Sequence, residues 1–199
     1  GVRILGWSYS GFRRLSNSKR PITKPADLKG LTIRVPKNAI MIDSYKSWGV
    51  SPTPMAWDEV FTALQQKVLD GQDTPLITQY VMKFYEVQKY ITKIRYVFLL
   101  EPLVISEQLF QRQSPEVQAV LLRAGKEAQE FCRQFLILFE DSIENELKGK
   151  GLEILDPADG EMEWIDKATQ TVWPKFYKSI GGKEKVDAAL KAINREFPF

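Results

Sequence analysis

The sequence predicts an α/β fold, and three observations near its start indicate this class. Leu31–Val35, between Gly30 and Pro36, is typical of a strand that ends where proline cannot donate a backbone hydrogen bond. An amphipathic pattern over residues 39–48 predicts a helix, and residues 50–55 predict a second strand. Strand, helix and strand within about 25 residues form a βαβ unit, so we expect the two strands to be parallel.

The composition indicates a folded chain and excludes several classes of function. The chain has 199 residues, 44% of them hydrophobic, which is enough to bury a core. It contains no histidine, which excludes a Ser-His or Cys-His couple and an HExxH zinc motif, and its one cysteine, Cys132, has no partner for an internal disulfide. The net charge of +3 is spread over interspersed signs, so no nucleic-acid partner is predicted. We also predict no catalytic residue, no metal and no cofactor.

The residues before the βαβ unit predict a strand and a turn. Val2–Trp7 has the composition of a strand, and Ser8–Gly11 predicts a turn from which Arg13 emerges. Within the unit, Asn38 is a good N-cap for the helix, and Gly49 suits the left-handed conformation that ends it.

The residues after the unit predict a second helix and an extended segment. Asp58 and Glu59 favour a helix over residues 57–69 with Val68 on its inner face, and residues 72–76 read as extended. The remaining predicted elements up to residue 106 are a helix over 77–85, a turn over 86–90 and a strand-like run over 94–106. If the chain forms two lobes, we expect this run to cross between them.

The second half of the chain is dominated by one long helical pattern. Ser114 and Pro115 are a strong helix start, and the pattern continues to Lys148, a length of about 50 Å that suggests a kink or a bridging role. Its middle is apolar nearly all round, so we expect it to pack against another lobe of the protein or another subunit. The later predicted elements are a strand over 152–155, a helix over 157–171, bulky cover over 173–177 and a terminal helix over 183–197.

Polar residues around the βαβ unit predict a ligand site. Ligands of open α/β sheets bind outside the carboxyl ends of parallel strands, where Arg34 lies, and a guanidinium suits a carboxylate. Arg13 is a second candidate anion ligand, Trp57 a candidate aromatic wall, and Gln72 and Thr74 candidate polar contacts. The alternatives are that both arginines lie in solvent and that Trp57 only packs a helix start. The intervening acid, Asp73, is expected to be paired or solvated.

A set of motifs in this order resembles the solute-binding subunits of tripartite ATP-independent periplasmic (TRAP) transporters, of the dicarboxylate-binding DctP type. Each motif is weak alone, whereas the ordered set is specific. The motifs are Gly11-Phe12-Arg13, Asn17-Ser18-Lys19-Arg20-Pro21-Ile22, Asp27-Leu28-Lys29-Gly30-Leu31, Ile33-Arg34-Val35-Pro36, Pro52-Thr53-Pro54-Met55, Asp70-Gly71-Gln72 and Ser114-Pro115-Glu116.

The resemblance implies a periplasmic binding protein-like lobe of class II type that captures a small organic acid and delivers it to TRAP membrane subunits. In that family the arginine matching Arg34 pairs with the ligand carboxylate, the one matching Arg13 adds a second charge, and the aromatic matching Trp57 lines the cleft. The family usually has asparagine where this chain has Thr74, which changes the expected contact. A ligand-sensing domain of the same fold, or an enzyme acting on an organic acid, are the alternatives.

The resemblance also implies a division of the chain. Residues 1–98 and 139–199 are expected to form the ligand-binding lobe, and 99–138 a crossover strand and helix of another lobe that is largely absent here. We therefore expect this chain alone to expose an apolar surface and to bind weakly. A periplasmic location and a homo-oligomer through the long helix are further expectations.

Overall fold

The computed structural model describes residues 1–193 and shows a mixed sheet with helices packed against it. The main sheet has the strand order β4-β1-β5-β7, and β6 pairs with β1. In this sheet β1 pairs antiparallel with β4, β5 and β6, β5 pairs in parallel with β7, and β2 and β3 form a separate parallel pair. The strands are β1 (Val2–Asn17), β2 (Arg34–Val35), β3 (Thr53–Pro54), β4 (Gly71–Pro75), β5 (Tyr90–Thr92), β6 (Phe98–Ser106) and β7 (Glu153–Leu155).

Helices of very different length flank the strands. The α-helices are α1 (Ala39–Ser47), α2 (Val60–Gln65), α3 (Leu76–Val81), α4 (Glu107–Gln111), α5 (Pro115–Gly149), α6 (Met162–Thr171), α7 (Trp173–Ile180) and α8 (Lys183–Ala192). Short 3-10 helices cover Pro25–Leu28, Trp57–Glu59 and Phe84–Glu86. The predicted helix over 183–197 continues past residue 193, and that part lies outside the described residues. Within residues 1–193, every helix is too short or too polar to cross a membrane.

The predicted βαβ unit is confirmed. Arg34 of β2 pairs in parallel with Thr53 of β3, and α1 connects the two strands. The Asn38 side chain caps α1 by accepting a hydrogen bond from the backbone of Met41 at 3.2 Å. Gly49 has φ +91°, the left-handed conformation expected after the helix. The strand predicted over Leu31–Val35 is shorter in the structure, because β2 comprises Arg34 and Val35.

The predicted turn at residues 8–11 is wrong, because β1 runs through it as a continuous strand. The register against β6 shifts between Tyr9 and Gly11, which leaves Ser10 as the extra residue of a bulge, and Gly11 has φ +89°. The residues Ser-Gly signal a local departure from regular strand geometry, but a partner strand about 90 positions downstream supplies the hydrogen bonds. Because the strand continues through the bulge, β1 pairs with β6 in its first part and with β4 and β5 in its last part.

The predicted helix over 57–69 is shorter than expected. A 3-10 turn precedes α2, which ends at Gln65, and Lys67 takes φ +60°. Val68 was expected on the inner face, but its side chain is 60% exposed. The left-handed residue reverses the chain so that Leu69 is buried instead.

The predicted turn over 86–90 is only partly right. Phe84–Glu86 forms a 3-10 helix, and Tyr90 already begins β5, which lies between β1 and β7. Three residues are too few for a period-2 pattern to stand out, which explains why this strand was not predicted.

The buried core lies around the sheet and the C-terminal half of α5. Three apolar clusters are centred on Trp48, on Phe84 and on Leu147, and their described members all lie outside residues 99–138. The first part of β1 nevertheless pairs with β6, which lies mostly within the segment 99–138 that was assigned to another lobe. The strand β1 therefore contacts both parts of the predicted division. That division stays a prediction.

The long helix is confirmed from its Ser114 cap, which accepts from the Val117 backbone, to Gly149. Its middle presents stacked rings on an exposed face, with Phe135 between Phe131 and Phe139. Contact with a second copy through this face stays a prediction.

Replacing Gly125 by alanine is expected to lower the free energy of unfolding by about 1–3 kcal/mol. At this point α5 touches β1 backbone to backbone, and an added Cβ would lie 2.7 Å from both the carbonyl carbon and the Cβ of Leu5. Urea denaturation measures the change. The matched control is Gly149→Ala on the same helix, where nothing lies within 4 Å of the added Cβ. A Gly125→Ala protein as stable as wild type would contradict this close packing.

Candidate functional site

A cavity of about 580 Å³ opens at the carboxyl end of β2, beside β4, α3 and β6. The parallel pair ends here, as the position of Arg34 predicted, while β6 forms a wall from the other part of the chain. The lining residues combine charged, aromatic and apolar side chains: Arg13, Arg34, Pro36, Trp57, Thr74, Ile77, Thr78, Val81, Met82, Leu99 and Glu101.

Arg34 is a buried cation without a carboxylate partner among residues 1–193. Only 3% of it is exposed, and its Nε and Nη2 both donate to the carbonyl oxygen of Met55, at 3.1 and 2.7 Å. Burial, and then the neighbouring charge of Arg13, lower the pKa of Arg34, but a guanidinium remains charged at neutral pH. The carbonyl therefore holds one edge of the guanidinium in place and leaves its charge available to an anion.

Arg13 lines the same cavity but is already paired. Its Nε lies 3.0 Å and its Nη2 3.3 Å from the carboxylate oxygens of Asp73, and Nη2 also donates to the Asp73 backbone carbonyl. Burial lowers the pKa of Arg13, but the charge and hydrogen bonds of Asp73 outweigh it and raise the pKa overall. Asp73 was expected to be either paired or solvated, and the structure shows it paired with Arg13.

Two tyrosines, the buried Tyr45 and the partly buried Tyr96, complete the surroundings of this ion pair. The Tyr96 hydroxyl donates to Oδ2 of Asp73, and the Tyr96 ring packs edge to face on Tyr45 with centroids 5.8 Å apart. Burial, followed by the charge of Asp73, raises the pKa of both phenols well above the ordinary value. Both therefore stay neutral, and Asp73 is held by a donor as well as by a cation.

Trp57 both lines the cavity and packs at the start of a helix. It is 40% exposed and lines the cavity, where the guanidinium carbon of Arg34 lies 5.7 Å from its ring centroid. Its other side packs edge to face on Phe84 at 5.7 Å. A ring fixed in this way offers an apolar wall beside the free cation.

Of the two polar residues expected from β4, the structure brings only Thr74 to the cavity. Thr74 lines it, opposite Arg14 of β1. Gln72 is fully buried, donates from Nε2 to the Ser16 hydroxyl at 3.0 Å, and does not line the cavity. Gln72 lies opposite Ser16 in the ladder between β4 and β1, where its side chain is bonded within the sheet.

The sequence reasoning missed the wall formed by α3 and β6. Leu99 and Glu101 are two residues apart on β6, so they share a face, and both line the cavity. Glu101 accepts a hydrogen bond from the hydroxyl of Ser10, the bulged residue of β1. The length of the strand-like run over 94–106 was the one feature that could have indicated this wall. The alternation of side chains along a strand does not show which of its two faces borders a cavity.

The sequence matches the family described as bacterial extracellular solute-binding protein, family 7 (DctP), over residues 1–180. It is 32% identical over 180 residues to the 2,3-diketo-L-gulonate-binding periplasmic protein YiaO of Escherichia coli, a match that covers 90% of this chain and 55% of the relative. It is 32% identical over 179 residues to the sialic acid-binding periplasmic protein SiaP of Vibrio cholerae, covering 90% and 54%. The chain thus spans about half the length of the curated relatives it matches.

Solved structures show the same fold. A TRAP periplasmic solute binding protein from Roseobacter denitrificans with bound L-galactonate is 35% identical, with a TM-score of 0.79 over 88% of this chain and 59% of that one. Another, from Polaromonas sp. JS666 and bound to D-erythronate, is 31% identical, with a TM-score of 0.85 over 98% and 63%. The family match over residues 1–180 and the shared fold show that the chain belongs to the DctP family of TRAP solute-binding proteins, a family of periplasmic binding proteins.

Proposed function

We propose that this chain captures a small organic acid by its carboxylate in the cavity beside Trp57, and that Arg34 is the carboxylate ligand. The observation that carries the proposal is the state of Arg34: buried, oriented by the Met55 carbonyl and without an acidic partner among residues 1–193. A desolvated guanidinium with free donors favours a planar anion, and the carboxylate matches its fork. Relatives with bound L-galactonate and D-erythronate support an acid as the ligand.

The other predicted ligand residues take supporting roles in this proposal. Arg13 adds positive potential, but it presents less of its charge than Arg34 because Asp73 neutralises it. Trp57 covers the apolar part of the ligand, and Thr74 contributes a hydroxyl. Gln72 supports β4 through Ser16 instead of contacting the ligand.

We further propose that the acid is delivered to the membrane subunits of a TRAP transporter, in the periplasm. The names of the relatives support this assignment, since YiaO and SiaP are described as periplasmic binding proteins. Closure around the ligand would give the membrane partner a shape that differs from that of the empty protein.

The proposal is tested by a titration of the ¹⁵N-labelled chain with a panel of monocarboxylic and dicarboxylic acids, followed by NMR because weak binding remains measurable. We expect at least one acid to shift the indole signal of Trp57, while the exposed indole of Trp7 stays unchanged. The corresponding primary amide should bind at least about tenfold more weakly, because it lacks the charge that Arg34 pairs with. Equal binding of acid and amide, or no response of Trp57 to any acid, would refute it.

A further inference from the structure

The cavity lining contains one ionic side chain, among the residues that the structure describes, to which the proposed function gives no role. Glu101 is exposed on β6, lines the cavity and accepts from the Ser10 hydroxyl, but no lysine or arginine among residues 1–193 forms an ion pair with it. It contributes no packing to the three apolar clusters. Its position in the cavity wall is therefore its distinguishing feature.

The charges around the cavity balance before any ligand enters. Arg13 and Asp73 neutralise each other as a buried pair. Arg34 has no acidic partner and Glu101 has no basic one among the described residues, so one positive and one negative site remain. A single carboxylate at Arg34 uses the positive site, and a second carboxylate has no cation left and lies in the same cavity as Glu101.

The rest of the lining is suited to an uncharged body. Pro36, Ile77, Val81, Met82 and Leu99 supply apolar surface between the charged residues. The carboxylate of Glu101 accepts hydrogen bonds but donates none, so it favours a hydroxyl or amide on the ligand and repels another anion.

We propose that the cavity selects acids with one carboxylate and an uncharged, hydrogen-bond-donating body, and that Glu101 is the residue that rejects dicarboxylates. This assignment rests on the proposed function, because it places the one accepted carboxylate at Arg34. It adds a determinant from β6, a strand outside the βαβ unit that provides Arg34.

Succinate and succinamate form a matched pair of probes, since they have the same length and differ in one charge. In NMR titrations of the full 199-residue chain, we expect succinamate to bind at least about tenfold more tightly than succinate. Glu101→Gln keeps the size of the side chain and removes its charge, and it should reduce this preference to about twofold or less. The control is Glu153→Gln, a change of an exposed glutamate on β7 that lies outside the cavity, and it should keep the wild-type preference.

The outcomes separate the two proposals. If wild type prefers succinate, or if Glu101→Gln leaves the preference unchanged, the role of Glu101 is wrong while carboxylate capture stands. If neither probe nor any acid of the panel shifts the Trp57 indole, carboxylate capture itself fails, and the selectivity assignment fails with it.

Discussion

Replacing Arg34 by alanine is expected to weaken binding of an organic acid by about 30-fold or more, which corresponds to the 2 kcal/mol or more that a buried charge pair loses when one partner is removed. The guanidinium is desolvated and already oriented by the Met55 carbonyl. Without it, the ligand carboxylate loses the charged partner that replaces its hydration. Arg34→Lys should also lose most of the affinity, because an ammonium keeps the charge but cannot form two parallel hydrogen bonds. NMR titration with the acid that binds wild type most tightly measures both effects.

Arg123→Lys is the matched control for the arginine series. Arg123 is exposed on α5 and forms only a loose pair with Glu127, 3.8 Å away. Its replacement should leave the affinity unchanged. If Arg34→Lys binds as tightly as the wild-type chain while its circular dichroism spectrum is unchanged, the guanidinium of Arg34 is not the carboxylate ligand.

Asp73→Asn is expected to lower the free energy of unfolding by about 3–5 kcal/mol, because it leaves Arg13 buried without its counter-charge. Asp73 is fully buried; an asparagine oxygen at the position of Oδ2 still accepts the hydrogen bond from Tyr96, but the amide nitrogen at the position of Oδ1 no longer accepts from Nη2 of Arg13, so the change removes the charge together with one hydrogen bond. Urea denaturation at neutral pH measures the loss. Glu127→Gln breaks an exposed pair on α5 and should cost less than about 0.5 kcal/mol.

A second variant separates the ion pair from the packing around it. Combining Asp73→Asn with Arg13→Met removes both charges, and it should recover part of the stability that Asp73→Asn alone loses. If Asp73→Asn is as stable as wild type, the unpaired charge of Arg13 carries no cost. If the double variant is no more stable than Asp73→Asn alone, the loss does not come from that charge.

The features that local sequence determines are those whose signals lie within a few residues. The capping side chain of Asn38, the left-handed Gly49 and the start of α5 at Ser114 all act on backbone groups next to them, and the structure confirms each one. The βαβ unit belongs to the same class, because a helix between two short strands has only one common arrangement. Its geometry in turn places Arg34 at a cavity.

The features that sequence did not reveal depend on partners far along the chain. The residues at 8–11 have turn composition, yet β6 pairs with them and converts the turn into a bulge. The contacts of Arg13 show the same limit, since an arginine on a strand is equally suited to a ligand and to an acid on the neighbouring strand. Only the register of β1 against β4 brings it to Asp73.

The sequence by itself therefore determined the α/β class, the family and the position of Arg34 at the end of β2, because these follow from short-range backbone preferences and from an ordered set of motifs. The tertiary structure alone decided which charges remain unpaired: it neutralised Arg13 with Asp73, buried Gln72 away from the cavity and brought Glu101 into the cavity. The physical reason is that ion pairing depends on distances of a few ångströms between residues from different strands, and strand register sets those distances.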